Sequence, residues 1–86
     1  MAETEAVKIG VVGLGYVGLP LAVELGKKYV TIGFDLSVKR IKELRNNIDV
    51  TREVEANELD QATLLECTSE PEQLAVCTYF IVTVPT

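Results

Sequence analysis

The 86-residue sequence contains no histidine and only two cysteines, and these shortages exclude several kinds of chemistry. Cys67 and Cys77 alone cannot complete a usual four-ligand zinc site, and no other metal site is expected, because the acidic residues between 53 and 60 are more simply explained as a solvated face. Without an export signal, the two cysteines are expected to be reduced thiols of the core rather than a disulfide.

Positive charge is scarce as well. Eight Lys and Arg residues against thirteen Asp and Glu residues give a net charge of -5 and a pI near 4.6. Such a chain offers no basic field to phosphate backbones or anionic lipids, so no nucleic-acid or membrane partner is expected. The longest uncharged run, residues 9–23, is too short to span a bilayer and is interrupted by glycines and a proline. The acidic residues at the start do not resemble a secretory signal, and the expected location is the cytoplasm.

Strand and helix patterns alternate along most of the chain. Residues 7–13 are rich in β-branched side chains without polar alternation, which is typical of a strand buried on both faces of a parallel sheet. A helical pattern begins near Tyr16, with Val17, Leu21 and Leu25 on one face, and residues 30–34 form a second strand. The sequence therefore predicts a strand-helix-strand unit and an α/β fold.

The elements after the second strand have less regular sequence patterns. Ser37 has the character of an N-cap, and Asn46-Asn47 suit the left-handed end of the helix that follows it. An irregular or short helical stretch follows at residues 51–63, and a third strand at residues 64–68. A short helix at residues 69–76 is opened by a Ser-x-x-Glu capping box, and a fourth strand covers residues 79–84.

A glycine motif joins the first predicted strand to the first predicted helix. It reads Gly13-Leu14-Gly15-Tyr16-Val17-Gly18, the G-x-G-x-x-G fingerprint of dinucleotide-binding folds. The first glycine permits the tight turn, the second lets the backbone approach a pyrophosphate, and the third brings helix and strand close. We therefore expect residues 1–6 to be a polar leader, and residues 7–86 to be the N-terminal part of a Rossmann-type, doubly wound parallel sheet, an incomplete domain.

An acidic residue follows the motif at the expected distance. Asp35 stands twenty positions after Gly15, at the end of the second predicted strand. Its carboxylate can accept hydrogen bonds from both adenine ribose hydroxyls and would repel a 2′-phosphate, so the cofactor is expected to be NAD rather than NADP. The alternative is a carboxylate that only caps the next helix.

Arg40, and Tyr16 and Val17 within the motif, are further candidates for cofactor contact. Arg40 is expected either to reach the adenine or ribose edge, where it could also tolerate a 2′-phosphate, or to be a solvated surface charge. Tyr16 and Val17 are expected to offer backbone N–H groups to phosphate, although core packing explains Val17 nearly as well. Gly10 and Gly33, within strands, are expected to allow close approach of neighbouring groups.

The run from Lys8 to Ala22, with its Gly-Tyr-Val-Gly-Leu-Pro portion, resembles the start of the UDP-glucose/GDP-mannose dehydrogenase family. Gly33-Phe34-Asp35, Arg40-Ile41 and the closing Val-Thr-Val-Pro-Thr are similar to further landmarks of that family. The stretches around residues 48–51 and 58–64 are most similar to the branch that oxidises UDP-N-acetylhexosamines for bacterial surface polysaccharides. The resemblance covers nearly the whole chain but only about the first fifth of a typical member.

This resemblance implies an enzyme that oxidises the C6 hydroxymethyl group of a UDP-sugar to a carboxylate with two NAD, through a covalent cysteine adduct. Because the family's catalytic groups lie in segments absent here, no catalytic residue is assigned, and Cys67 and Cys77 do not match its cysteine. The resemblance extends the cofactor contacts to Arg40 and Thr86 and implies a homo-oligomeric enzyme. Another NAD-dependent Rossmann dehydrogenase and a non-catalytic NAD-sensing module remain alternatives.

Overall fold

The computed structural model describes residues 7–49 and 54–83. Four strands and three α-helices alternate along these residues, with a 3₁₀ helix before the last strand. In chain order they are β1 Lys8–Val12, α1 Gly18–Gly26, β2 Val30–Phe34, α2 Val38–Arg45, α3 Ala56–Gln61, β3 Leu65–Thr68, the 3₁₀ helix Pro71–Val76 and β4 Tyr79–Val82.

The four strands form one parallel sheet in the order β3-β2-β1-β4. Strand β1 lies in the middle, with Ile9 beside Thr31 of β2 and beside Tyr79 of β4. After β3 the chain crosses back over the sheet and adds β4 on the far side of β1. The predicted α/β fold of Rossmann type is confirmed, and the reversal of strand order lies beside β1, where open α/β sheets bind their ligands.

One face of the sheet carries the three α-helices and the main hydrophobic core. Side chains of β1, α1, α2 and α3 meet there in a single buried cluster. Its members are Ile9, Val11, Leu14, Leu19, Ala22, Val23, Ile41, Leu44, Val54, Leu59, Ala62 and Cys67. We call this side of the sheet the helix face.

Helix α1 packs on the sheet by a different side from the one that its sequence suggested. The predicted row of Val17, Leu21 and Leu25 is exposed or only half-buried, whereas Gly18, Leu19, Ala22, Val23 and Gly26 are buried. The helix is apolar almost all round, so periodicity could not choose the side. The small residues determine the buried side instead, because only they allow the helix to come close to the sheet. A Cβ on Gly26 would lie only 2.5 Å from the Cβ of Leu65 in β3.

The other side of the sheet, which we call the open face, has a thinner cover. Gly10 points to this side, because a Cβ there would meet Leu74 of the 3₁₀ helix, Phe80 and Cys77. Phe80, the partner of Gly10 in β4, is 54% exposed, and Val82 is 63% exposed. Among the described residues, the 3₁₀ helix is the helical element that packs on this face, and it lies against β2.

Helix α2 has the ends that the sequence predicts. The Ser37 hydroxyl accepts a hydrogen bond from the N–H of Arg40 at 3.1 Å, which makes Ser37 the N-cap. At the other end Asn47 has a φ of 61°, and the N–H of Ile48 donates to the Glu43 carbonyl at 2.8 Å. This pairing is a Schellman motif, and it confirms the left-handed cap.

The predicted capping box at Ser69 is wrong, although the short helix exists. The helix begins one residue later, at Pro71, with Glu70 as an N-cap that accepts no side-chain hydrogen bond. A proline disfavours helical backbone in the residue before it, so Glu70 stays extended and Ser69 falls outside the cap position. The segment is also a 3₁₀ helix rather than an α-helix.

The two cysteines are free thiols on opposite faces of the sheet. Cys67 belongs to the core of the helix face, whereas Cys77 lies against Gly10 on the open face. Of the described helices, none is long and apolar enough to cross a membrane. The predicted leader at residues 1–6, the start of the irregular stretch at 51–53 and the end of the fourth strand lie outside the described residues.

Candidate cofactor site

The carboxyl ends of three neighbouring strands meet at one edge of the sheet. Gly13 follows β1, Asp35 follows β2 and Thr83 follows β4. Backbone hydrogen bonds tie these ends together, from the N–H of Gly13 to the Phe34 carbonyl and from the N–H of Thr83 to the Val12 carbonyl, both at 2.8 Å. The glycine motif therefore leaves the sheet at the position where α/β folds bind ligands.

The first and third glycines of the motif are required by packing. Gly13 has a φ of 99°, and a Cβ there would lie 2.5 Å from the carbonyl oxygen of Thr83. A Cβ on Gly18 would overlap the carbonyl oxygen of Gly13 and the hydroxyl of Thr83. These contacts form the tight turn and the close approach of α1 to β1 that the motif predicts.

The second glycine differs, because no atom of the described residues requires it. Gly15 is exposed, and a Cβ on it would have no heavy atom within 4 Å. The N–H groups of Gly15, Tyr16 and Val17 donate to no acceptor within residues 7–49 and 54–83. Bare backbone with free donors at the start of a nine-residue helix is suited to bind an anion such as a pyrophosphate. These residues therefore fit a dinucleotide.

Asp35 is fixed by two backbone donors. Its Oδ2 accepts from the N–H of Leu14 at 2.9 Å, and its Oδ1 accepts from the N–H of Ser37 at 3.0 Å. The carboxylate is half-buried, and each oxygen keeps a further lone pair for another donor. Asp35 caps local backbone and still faces the loop, so both interpretations of its role agree with the geometry.

Arg40 lies under the loop rather than free in solvent. Its Nε and Nη2 both donate to the Leu14 carbonyl, at 2.9 and 2.7 Å, and its Nη1 donates to Asp49 at 2.8 Å. Only 10% of its side chain is exposed, so Arg40 is not a solvated surface charge. The observed contacts position the loop, and contact with the adenine or ribose edge stays a prediction.

The other predicted site residues separate into two groups. Leu14 is fully buried in the core, so only its backbone borders the site, whereas the side chains of Tyr16 and Val17 are exposed beside the loop. Core packing therefore does not explain Val17. Thr86 lies outside the described residues, and its contact with the dinucleotide stays a prediction.

Two residues of the site were missed by the sequence reasoning. The hydroxyl of Thr83 donates to the Gly13 carbonyl at 2.8 Å, and Asp49 binds Arg40. Thr83 could have been found, because it ends the strand that neighbours β1 at the same edge of the sheet. Asp49 has no such signal, since it lies in a loop fourteen residues after Asp35.

A cleft of the described residues lies away from this loop. It has a volume of about 360 Å³ and lies between α2, α3 and β3, with Leu44, Leu59, Glu66 and Cys67 in its walls. Burial raises the pKa of the Cys67 thiol to about 11, so the thiol stays protonated and is a poor nucleophile. The candidate cofactor site is instead formed by the backbone of the glycine loop, with Gly15 exposed, at the carboxyl ends of the strands.

Residues 7–86 match the UDP-glucose/GDP-mannose dehydrogenase family, NAD binding domain. The chain is 58% identical over 79 residues to UDP-N-acetyl-D-glucosamine 6-dehydrogenase of Pseudomonas aeruginosa, an alignment that covers 92% of this chain and 19% of the relative. It is 52% identical over 86 residues to the protein of the same name from Salmonella typhi, with 100% and 20% covered.

A solved structure of a similar protein has the same fold as this chain. The UDP-N-acetyl-mannosamine dehydrogenase Cap5O from Staphylococcus aureus superposes with a TM-score of 0.77 at 29% identity, covering 92% of this chain and 19% of that one. The chain thus spans about a fifth of the length of the relatives that it matches.

Proposed function

Because the chain belongs to the UDP-glucose/GDP-mannose dehydrogenase family and corresponds to its NAD-binding domain, we propose that its glycine loop and Asp35 bind NAD as part of a nucleotide-sugar 6-dehydrogenase. The cofactor of this family domain is NAD, which accepts a hydride from the substrate when bound. The proposed cofactor-binding residues are Gly13, Leu14, Gly15, Tyr16, Val17, Gly18, Asp35 and Arg40, with Thr86 added by family resemblance.

The loop would bind the pyrophosphate through backbone rather than through cationic side chains. No Lys or Arg occurs between Gly13 and Gly18, so the attraction comes from the free N–H groups and the positive end of the α1 dipole. Gly15 leaves room for the phosphate oxygens to come within hydrogen-bond distance of these donors. Asp35 would then accept from the adenine ribose hydroxyls and disfavour NADP.

The substrate proposal is a UDP-sugar, either a UDP-N-acetylhexosamine or UDP-glucose. The observation that carries it is the identity of 58% and 52% to two UDP-N-acetyl-D-glucosamine 6-dehydrogenases along nearly all of this chain. Oxidation of the C6 alcohol to a carboxylate consumes one water and reduces two NAD to two NADH. We further propose that the intact enzyme acts in the cytoplasm as a homo-oligomer and supplies uronic acids to surface polysaccharide synthesis.

The test is an NADH assay on the full-length protein that carries this chain. UDP-N-acetylglucosamine, UDP-N-acetylgalactosamine, UDP-N-acetylmannosamine, UDP-glucose and GDP-mannose are each supplied with NAD. We expect one UDP-sugar to give two NADH for each sugar consumed, and GDP-mannose to give little. NADH formation with GDP-mannose alone would overturn the substrate class, and no NADH with any of them would overturn the reaction.

Gly15→Ala tests the loop itself. The added methyl meets no atom of residues 7–49 or 54–83, so we expect an unchanged Tm. It would occupy the space through which the pyrophosphate approaches, so we expect the Kd for NAD to rise by about tenfold or more. Gly10→Ala adds the same methyl on the open face, away from the site, and is the control. An unchanged Kd in Gly15→Ala would contradict the proposed position of the pyrophosphate.

A further inference from the structure

Asp49 is a buried acid that contacts the proposed site through Arg40 and is not itself among the proposed cofactor-binding residues. Its side chain is fully buried, and its two oxygens bind different partners. Oδ1 accepts from Nη1 of Arg40 at 2.8 Å, and Oδ2 accepts from the N–H of Val54 at 2.9 Å. Asp49 thus connects the loop after α2 to an arginine that reaches the glycine motif.

Leu14 links Arg40 to the part of the glycine loop that is proposed to bind the cofactor. Arg40 donates twice to the Leu14 carbonyl, while the Leu14 N–H donates to Asp35. In a trans peptide the C=O and N–H groups point in opposite directions. Because Arg40 binds the carbonyl of the peptide that joins Leu14 to Gly15, it directs the Gly15 N–H away from itself, where that group donates to no described residue.

The position of Arg40 matters for the choice of cofactor. An arginine close to the ribose-binding carboxylate is the group that accommodates the 2′-phosphate of NADP in dinucleotide-binding folds. Arg40 lies in the first turn of α2, five residues after Asp35, and both side chains bind backbone groups of Leu14. Its position therefore suits a 2′-phosphate, but its charge is paired with Asp49 and three of its nitrogens already donate.

We propose that Asp49 is a specificity-determining positioning residue, which holds Arg40 under the glycine loop and so withholds its guanidinium from a 2′-phosphate. Asp35 repels NADP directly, and Asp49 removes the arginine that would otherwise compensate for this repulsion. The proposal rests on NAD binding by the family's domain and does not depend on the identity of the sugar.

The experiment measures the Kd of NAD and of NADP by titration calorimetry in the full-length protein, without sugar. In Asp49→Ala the guanidinium loses its acidic partner and can turn toward the ribose. We expect the ratio of the NADP Kd to the NAD Kd to fall by about tenfold, which corresponds to one charge-assisted hydrogen bond. Asp49→Asn keeps the shape of the side chain and the fold, and we expect a smaller fall in the same direction.

Two controls separate this role from simpler ones. Asp60→Asn removes the same charge from an exposed position in α3, and we expect it to leave the ratio unchanged. In an Arg40→Met background, Asp49→Ala should no longer change the ratio, because the residue through which Asp49 acts is gone.

The outcomes are distinct. Equal weakening of NAD and NADP in both Asp49 variants would make Asp49 a structural support only and would overturn the proposal. A fall in the ratio that persists in Arg40→Met would assign the effect to net charge and would overturn it as well. If the unaltered protein bound no NAD, the proposed cofactor site would fail rather than the role of Asp49.

Discussion

The helix face and the open face of the sheet differ in how they are covered, although the same strands supply both. On the helix face Val11 of β1, Leu14 of the glycine loop and Leu19 of α1 are fully buried between the sheet and its α-helices. On the open face Phe80 and Val82 of the edge strand β4 are more than half exposed. Ile32 and Phe34 of β2 are buried there, where β2 contacts the 3₁₀ helix, the one helix that the described residues place on this face. Parallel sheets are normally buried on both faces, so the residues described here build one half of such an arrangement.

This difference shows where the cofactor loop obtains its rigidity. The loop residues Leu14 and Gly18 pack on the helix face, and α1 continues directly from the loop into the core. A substitution on the helix face should therefore disturb both folding and the loop. The same substitution on the open face should have a much smaller effect.

The largest contrast is expected between two glycines. Gly18→Ala places a methyl group against the backbone of Gly13, which cannot turn aside, so we expect a loss of about 4 kcal/mol or more in unfolding free energy. Gly10→Ala meets the ends of the Leu74 and Phe80 side chains at 3.0 and 3.1 Å, which can shift, and we expect about 1 kcal/mol. Urea unfolding of the full-length protein measures both. Equal losses would remove the distinction between the faces.

The next contrast compares two large apolar side chains. Leu19 is fully buried on the helix face, so Leu19→Ala leaves a cavity and should cost about 3 kcal/mol. Phe80→Ala removes a side chain that is already more than half exposed, and we expect less than about 1 kcal/mol. Thermal unfolding of the two variants gives the comparison. A larger loss for Phe80→Ala would show that the open face is covered in the intact protein.

The smallest contrast depends on pH. Burial raises the pKa of Cys67 from 9.0 to about 11, and burial also raises the pKa of Cys77 on the open face. Above pH 9 the unfolded Cys67 thiol ionises while the folded one keeps its proton, so the free energy of unfolding falls as pH rises toward 11. The contribution of Cys67 to this fall is at most about 1.4 kcal/mol per pH unit.

Cys67→Ala removes this ionisation, so its unfolding free energy should fall less steeply with pH than that of the unaltered protein. Cys77→Ala is the matched variant, and we expect a smaller change of slope because its thiol lies on the less covered side. Urea unfolding across this pH range gives the slopes. Identical slopes in all three proteins would show that neither thiol is held protonated by the fold.

Local chemistry made the first strand-helix-strand unit predictable from sequence. Strand β2 has the predicted bounds, and Ser37 and Asn47 cap α2 as expected, because each of these features depends on neighbouring residues alone. Gly10 and Gly33 were expected to permit close approach, and a Cβ on either would lie within 3.1 Å of a side chain.

Apart from the Ser69 capping box, where the nearby Pro71 is the cause, the errors occur where residues distant in sequence determine the outcome. The buried side of α1 depends on the fit of Gly26 against Leu65, thirty-nine residues away in sequence. The contacts of Arg40 depend on Asp49, which lies in the stretch 48–51 that resembles a branch of the family but which no motif assigns to a site. For the site, the sequence predicted which residues surround the loop. The hydrogen bonds that engage all three nitrogens of Arg40 became visible only in the folded structure.

The two backbone hydrogen bonds to Asp35 have a consequence for attempts to change the cofactor. A side chain whose oxygens are already held by two N–H groups has little rotational freedom left to lose when a ribose arrives. Replacing Asp35 to admit NADP would therefore do more than remove a charge, because it would also release the backbone of Leu14 and Ser37. In the proposed site, cofactor preference and the integrity of the glycine loop would depend on the same carboxylate, so neither could be altered alone.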